Sequence, residues 1–318
     1  FVRDPLTGIT TRSSAAAEVL SGGTDSFSDP ALSADGSRVA YAGSSGQLYA
    51  TIGGLGRLLS QSPTGAAGNG ASGKVRLPGA GNLAFFESQA SNLLTAADGN
   101  GVSDIFVRDL GTGSNILISR APDGSAANGP SFGPWASDDG QTIVYSSLAT
   151  NIVAGTNLQS AGTKAGTILQ AMLMRGGNFG QSRFYLSRNL GNGELGNGDS
   201  LNVRVTPDGR YGVFESLASN LGADDNNQTR DIFRFEVSSN TVVKLERIST
   251  SRYGFQGNGP SKNASISDDG QFITFETDAS NLVELDRNNS ADVLVKWMVT
   301  GEVLRLSRAE PMFLSCLI

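Results

Sequence analysis

Histidine is absent from this chain of 318 residues, and cysteine occurs once, at Cys316. The first absence removes His-based catalytic triads, His general bases and His metal ligands. Zinc and haem sites lose their usual donors with it. A single cysteine forbids an intrachain disulfide. Charged residues make up only 17% and aromatics 7% of the chain, a poor match to a helical or coiled-coil protein. No apolar run approaches the ~20 residues a membrane-spanning helix needs, and no signal-peptide pattern stands at the start. The formal charge of −6 and pI near 4.8 argue against a nucleic-acid partner, which calls for a basic face.

What the chain has instead is glycine, 41 residues of it, and an internal repeat. One element recurs as "ALSADGSRVAY" from Ala31, "WASDDGQTIVY" from Trp135, "RVTPDGRYGVF" from Arg204 and "SISDDGQFITF" from Ser265. "RLPGAGNLAFF" from Arg76 is a degenerate copy. Asp-Gly between alternating apolar residues predicts a tight hairpin, because glycine takes positive φ at little cost. A second element follows: "FESQASNLL" from Phe86, "YSSLATNIV" from Tyr145, "FESLASNLG" from Phe214 and "FETDASNLV" from Phe275. A third is a hairpin around Thr-Gly, best seen in "DIFVRDLGTGSNILISR" from Asp104 and "DVLVKWMVTGEVLRLSR" from Asp292. One unit thus reads as strands a, b, c and d over about 50–65 residues, the layout of a propeller blade. The segment "TILQAMLMR" has some helical character, but its place in the period predicts strand c.

These residues resemble the TolB-type β-propeller repeat, in the version marked by "SNL" and "DIFVRD" in secreted bacterial proteins. The resemblance covers nearly the whole chain. Its most specific parts are Ser91-Asn92-Leu93 through Asp109, Asn128-Gly129-Pro130-Ser131, and Asp139-Gly140. It implies an all-β, single-domain propeller over residues 1–318, most often six-bladed, placed outside the cytoplasm and used to bind partners. It implies no catalytic activity.

The hairpins do not count out evenly. The c–d hairpin recurs near Phe1, Tyr49, Phe106, Leu169, Phe233 and Val293, whereas the a–b hairpin recurs only at Asp35, Gly79, Asp139, Asp208 and Asp269. The opening "FVRDPLTG" falls mid-repeat, as in a mature product, a fragment or an excised domain. A six-bladed ring is expected to close by pairing residues near Met312 to Leu317 with the hairpin at Phe1 to Ser13, since open sheet edges are a liability. The alternative is five complete blades plus a leftover hairpin.

An Asp-x-Asn-x-x-x-Asp loop precedes strand c in three blades: Asp98, Asn100 and Asp104; Asp225, Asn227 and Asp231; Asp286, Asn288 and Asp292. Calcium takes six to eight oxygen ligands from carboxylates, amides, carbonyls and water. Alternate residues of a tight loop can converge on one ion, so up to three Ca²⁺ sites are expected. The competing reading is plain Asx turns, in which Asp and Asn bond their own backbone. The asparagines Asn92, Asn151, Asn220 and Asn281 read as turn caps. Phe86, Tyr145, Phe214 and Phe275 read as inter-blade core. Trp135 and Trp297 read as packing, with a carbohydrate-stacking platform as the alternative.

The composite reading is a secreted, calcium-stabilised propeller that binds a protein or glycan partner without catalysis. Two alternatives stand beside it. One is a self-assembling subunit of an extracellular polymer, joined through unpaired strands. The other is a carbohydrate-active hydrolase or lyase with funnel carboxylates, which would need two acids set across the ring. Glu194, Asp199 and Glu284 offer no readable pair.

Overall fold

The computed structural model describes residues 1–96, 98–154, 167–176, 182–222, 225–284, 286–288 and 290–307. Its strands form five four-stranded antiparallel sheets and one two-stranded hairpin. The hairpin pairs β1 (Val2–Arg3) with β2 (Thr10–Thr11). Blade 1 comprises β3 (Phe27–Leu32), β4 (Arg38–Gly43), β5 (Leu48–Ile52) and β6 (Leu55–Leu58). Blade 2 holds β7 (Ser72–Arg76), β8 (Leu83–Ser88), β9 (Asp104–Asp109) and β10 (Asn115–Leu117). In blade 3 the strands are β11 (Ser131–Ala136), β12 (Thr142–Ser147), β13 (Gln170–Arg175) and β14 (Ser182–Tyr185). Those of blade 4 are β15 (Ser200–Val205), β16 (Tyr211–Ser216), β17 (Asp231–Ser238) and β18 (Thr241–Arg247). Blade 5 is built from β19 (Ser261–Ile266), β20 (Phe272–Thr277), β21 (Asp292–Trp297) and β22 (Val303–Arg305). The ambiguous run "TILQAMLMR" does supply a strand c, β13.

The a–b turns of blades 1, 3, 4 and 5 are made by their own side chains. The hydroxyls of Ser33, Ser137, Thr206 and Ser267 donate to Asp35, Asp139, Asp208 and Asp269 at 2.7, 2.6, 2.5 and 2.5 Å. The same carboxylate oxygens accept the N–H two residues on, at 2.9–3.0 Å. Glycine then takes φ near +70° at Gly36, Gly140, Gly209 and Gly270, where an L side chain would be strained. The turns also seat one blade on the next: a Cβ at Gly270 would lie 2.3 Å from Tyr211 Cδ2.

The asparagines after strand b cap turns as expected. Asn92 accepts the N–H of Asn69 (2.9 Å) and donates to the Ala67 carbonyl (3.0 Å), and Asn281 does the same with Asn258 and Gln256 (both 2.9 Å). Phe86, Tyr145, Phe214 and Phe275 are all buried, in four different inter-blade clusters. Alternation along each strand sends neighbours to opposite faces. In blade 1, Ala40, Leu48 and Ala50 face blade 2, while Val39, Tyr41 and Tyr49 meet Ala17 and Val2 on the other face.

That second face is covered by an element absent from the sequence reading, helix α1 (Ala15–Leu20). Three alanines start it, and alanine has the highest helix propensity. It packs on β5 and β6, so the β1–β2 hairpin and α1 together flank blade 1 where a sixth blade belongs. The far face of blade 5 leaves Phe272 44% and Val293 38% exposed. The expected closing segment, Met312 to Leu317, and Cys316 lie outside the described residues.

All innermost strands carry the same β-bulge. Register shifts fall between Ser28 and Ala31, Gly73 and Arg76, Phe132 and Trp135, Leu201 and Arg204, and Lys262 and Ser265. A residue with φ of +47 to +61° sits in each: Asp29, Lys74, Gly133, Asn202 and Asn263. A bulge bends the strand and raises its twist. Carboxylates of the preceding blade bind some bulges, with Glu87 accepting the Gly133 N–H and Glu215 the Asn263 N–H, both at 2.8 Å. The five inner strands surround a cavity of about 550 Å³. Strand a is therefore innermost, and the fold is a β-propeller, consistent with a six-bladed ring.

Candidate functional site

In every blade one serine two residues past the end of strand d organises the start of strand c. Ser60, Ser119, Ser187, Ser249 and Ser307 each accept a backbone N–H, from Leu48, Ile105, Ala171, Ile232 and Val293 at 2.9–3.1 Å. Each hydroxyl then donates to the side chain that opens strand c. In blades 1 and 3 that acceptor is neutral: Gln47 (2.7 Å) and Gln170 (2.6 Å). Their amide nitrogens donate in turn to the carbonyls of Gly68 (3.1 Å) and Gly196 (3.0 Å).

Blades 2, 4 and 5 place Asp104, Asp231 and Asp292 there instead, accepting the serine at 2.6, 2.5 and 2.5 Å. A carboxylate cannot donate to the carbonyl, so asparagine does it. Asn100 Nδ2 donates to the Ala127 carbonyl (3.0 Å) and to Asp104 (2.6 Å). Asn227 Nδ2 donates to the Gly257 carbonyl (2.9 Å) and to Asp231 (3.2 Å). Asn288 Nδ2 donates to Asp292 at 3.1 Å. The oxygens of Asn100, Asn227 and Asn288 accept the N–H two residues on, at 3.0–3.1 Å. The asparagines are thus Asx-turn residues whose amide nitrogens, not oxygens, face the carboxylates. Each loop brings its expected residues together.

Charge separates the three loops. In blade 5, Arg305 reaches Asp286 at 3.1 Å and Asp292 at 3.3 Å. In blade 4, Arg247 lies 3.5 Å from Asp225 and 3.7 Å from Asp231. Both arginines stand two residues before the organising serine. The same place in blade 2 is Leu117, buried in the core. Asp98 and Asp104 are both buried too, and no salt bridge to either is found among the described residues.

The electrostatic consequence follows from burial against compensation. Burial pushes the Asp104 carboxyl up to about 7, and the Asp98 carboxylate adds to the shift. Burial also raises Asp292, but hydrogen bonds from Ser307, Arg305 and Asn288 outweigh it and hold that carboxyl below its ordinary value. Asp225 and Asp231 are raised by burial, with Arg247 pulling each back.

Among the described residues no three His, Cys, Asp or Glu side chains gather into a metal cluster. A cation in blade 2 would rest on Asp98 and Asp104, with backbone carbonyls and water supplying the remaining oxygens, a donor set suited to Ca²⁺. The arginine that marks the difference could have been found in sequence by aligning "ILIS", "ERIS" and "LRLS" before each serine.

The second feature is the central cavity. One residue per blade occupies the position after the bulge: Ala31, Arg76, Trp135, Arg204 and Ser265, all lining it. The guanidinium of Arg76 stands 4.9 Å from the Trp135 ring centroid and that of Arg204 5.2 Å. Trp135 is therefore a half-buried wall of the cavity. Trp297 instead stacks on Phe272 at 5.8 Å. At one mouth Asp138 accepts the Gly79 N–H at 2.9 Å. Of the other acids considered, Asp199 accepts the N–H of Leu169 at 2.8 Å.

The fold matches solved propellers. In fold, the chain is TolB-like. A protein assigned as TolB from Agrobacterium tumefaciens superposes with a TM-score of 0.50 at 18% identity, over 88% of this chain and 80% of that one. An oligogalacturonate lyase in complex with manganese superposes with a TM-score of 0.52 at 13% identity, over 87% of this chain and 63% of that one. At these identities the likeness is one of fold. No protein-family profile and no curated protein matches the sequence. No helix among the described residues is long and apolar enough to cross a membrane.

Proposed function

We propose that this TolB-like propeller is a binding module whose central cavity receives a protein partner, and that one calcium ion in blade 2 stabilises it. The observation that carries the binding reading is the cavity of about 550 Å³ walled by the inner strand of every blade. Its size suits a short segment of a partner. Trp135, the aromatic on its wall, already packs against two guanidiniums, which favours a protein over a stacked glycan. The structural likeness to a bacterial TolB-assigned protein supports an extracellular or periplasmic location.

The calcium reading rests on the buried Asp98–Asp104 pair and on Leu117, which stands where blades 4 and 5 carry Arg247 and Arg305. The proposal is therefore limited to one ion, because in the other two loops a guanidinium already supplies the positive charge. The ion's role is to neutralise two carboxylates at the entry to β9; no step of chemistry passes through it.

Calorimetric titration with CaCl₂ tests the ion: one equivalent is expected, lost in Asp98→Ala/Asp104→Ala. A stoichiometry of zero or three would refute this assignment. Turnover of polygalacturonate by the purified protein would overturn the non-catalytic reading.

A further inference from the structure

We infer that Arg76 and Arg204 form a carboxylate-recognition site, and that the segment entering the cavity is an acidic stretch of peptide, with Asp or Glu among apolar residues. The inference rests on the binding reading above and names its ligand class. The two arginines reach the cavity from blades 2 and 4, and each sets its guanidinium against the Trp135 ring of blade 3. Like charges converging on one ring are costly unless a shared anion offsets them, because low-dielectric walls strengthen the repulsion.

Neither arginine is neutralised locally. The Arg204 guanidinium makes no hydrogen bond or ion pair among the described residues. Arg76 donates Nη1 only to its neighbour's carbonyl, Val75 O at 2.8 Å, and its Nε is buried without a partner. Burial first and then Arg204 disfavour the charged form of Arg76, outweighing the longer-range pull of Asp29 and Glu87. The nearby acids are engaged elsewhere. Asp29 lies 3.8 Å from Lys74, Glu87 accepts the Gly133 N–H, and Asp138 accepts the Gly79 N–H. Asp268 is exposed on the cavity rim.

Guanidinium groups match carboxylates through paired N–H donors, and ring contact fixes where those donors point. The wall also carries the apolar residues Pro30, Leu77, Pro78, Pro207 and Ile266, with Asp138 and Asp268 at its rim. Such a lining suits the apolar residues of a peptide, and the volume exceeds what a lone inorganic anion fills. The chain as a whole carries −6, so this positive charge is local to the cavity and selects rather than attracts at long range.

The test uses the full chain carrying Trp297→Phe, so that Trp135 alone reports. Acetyl-(Glu-Leu)₄-amide and its neutral counterpart acetyl-(Gln-Leu)₄-amide are titrated, with trigalacturonate and inorganic phosphate as further arms. The Glu peptide is expected to change Trp135 fluorescence and to bind about tenfold or more tightly than the Gln peptide, with affinity falling as salt rises. Arg76→Gln/Arg204→Gln should erase that preference while the melting temperature holds or rises, since repulsion is removed. Equal binding of both peptides would leave the cavity a binding site and overturn carboxylate recognition. Unchanged affinity of the Glu peptide for the double variant would overturn the assignment to these arginines. Tighter binding of trigalacturonate or phosphate than of the Glu peptide would overturn the peptide class.

Discussion

Replacing Asp104 with asparagine isolates the charge of the blade 2 loop from its shape. The change is isosteric, and blades 1 and 3 already hold an amide here, in Gln47 and Gln170. In the native loop, burial and Asp98 push the Asp104 carboxyl from 3.8 up to about 7. A group whose folded pKa is raised contributes its stability fully below the unfolded pKa and loses it as pH rises through the folded value. Without a divalent cation, stability should therefore fall between about pH 4 and pH 7. Moving a carboxyl from 3.8 to about 7 amounts to roughly 4 kcal/mol at most. For a chain of this size that is up to ~8 °C in Tm. The assay is differential scanning calorimetry in chelator at pH 5 and pH 8. Native protein should lose several degrees more than Asp104→Asn over that interval. Calcium at a hundredfold excess over Kd adds ~2.7 kcal/mol, so it should restore the native protein at pH 8 and leave the variant nearly unmoved. An equal drop in both proteins would refute the account of Asp104.

The complementary exchange is Leu117→Arg, which copies blade 5, where Arg305 reaches both carboxylates at 3.1 and 3.3 Å; it should abolish calcium binding by titration calorimetry. Arg247→Leu runs the other way: it strands Asp225 and Asp231, should cost ~3–5 kcal/mol in urea unfolding, and should make blade 4 responsive to calcium. Gly270→Ala places a Cβ 2.3 Å from Tyr211 at φ +70°, so positive-φ strain and overpacking should together remove about 2–4 kcal/mol; a Tm within a degree of native would contradict the described seating of blade 5 on blade 4. Lys296 is buried and donates Nζ to the carbonyls of Ile248 (3.2 Å) and Thr250 (3.1 Å) on blade 4. Lys296→Met should remove both of these bonds between the blades and lower Tm, with faster amide exchange at the blade 4–5 junction.

The sequence by itself determined what is local. Asp-Gly turns, the "SNL" caps and the alternation of apolar residues depend on contacts within a few residues or across one hairpin. For that reason strand order, blade period and the buried aromatics Phe86, Tyr145, Phe214 and Phe275 were all legible. The helix Ala15–Leu20 was not, because it matches no repeat and is held by packing against β5 and β6. The carboxylate loops were found but read as equivalent, since Asp-x-Asn-x-x-x-Asp is the same in each. Tertiary structure decided between them, by pairing strand c with strand d. Pairing sets Arg247 and Arg305 against the acids of blades 4 and 5 and leaves Leu117 in blade 2, a difference carried by residues at least 13 positions from the second aspartate. Ring formation decided the rest. Arg76, Trp135 and Arg204 sit in three separate blades, and only the convergence of inner strands on one axis turns one position per repeat into a single charged cavity.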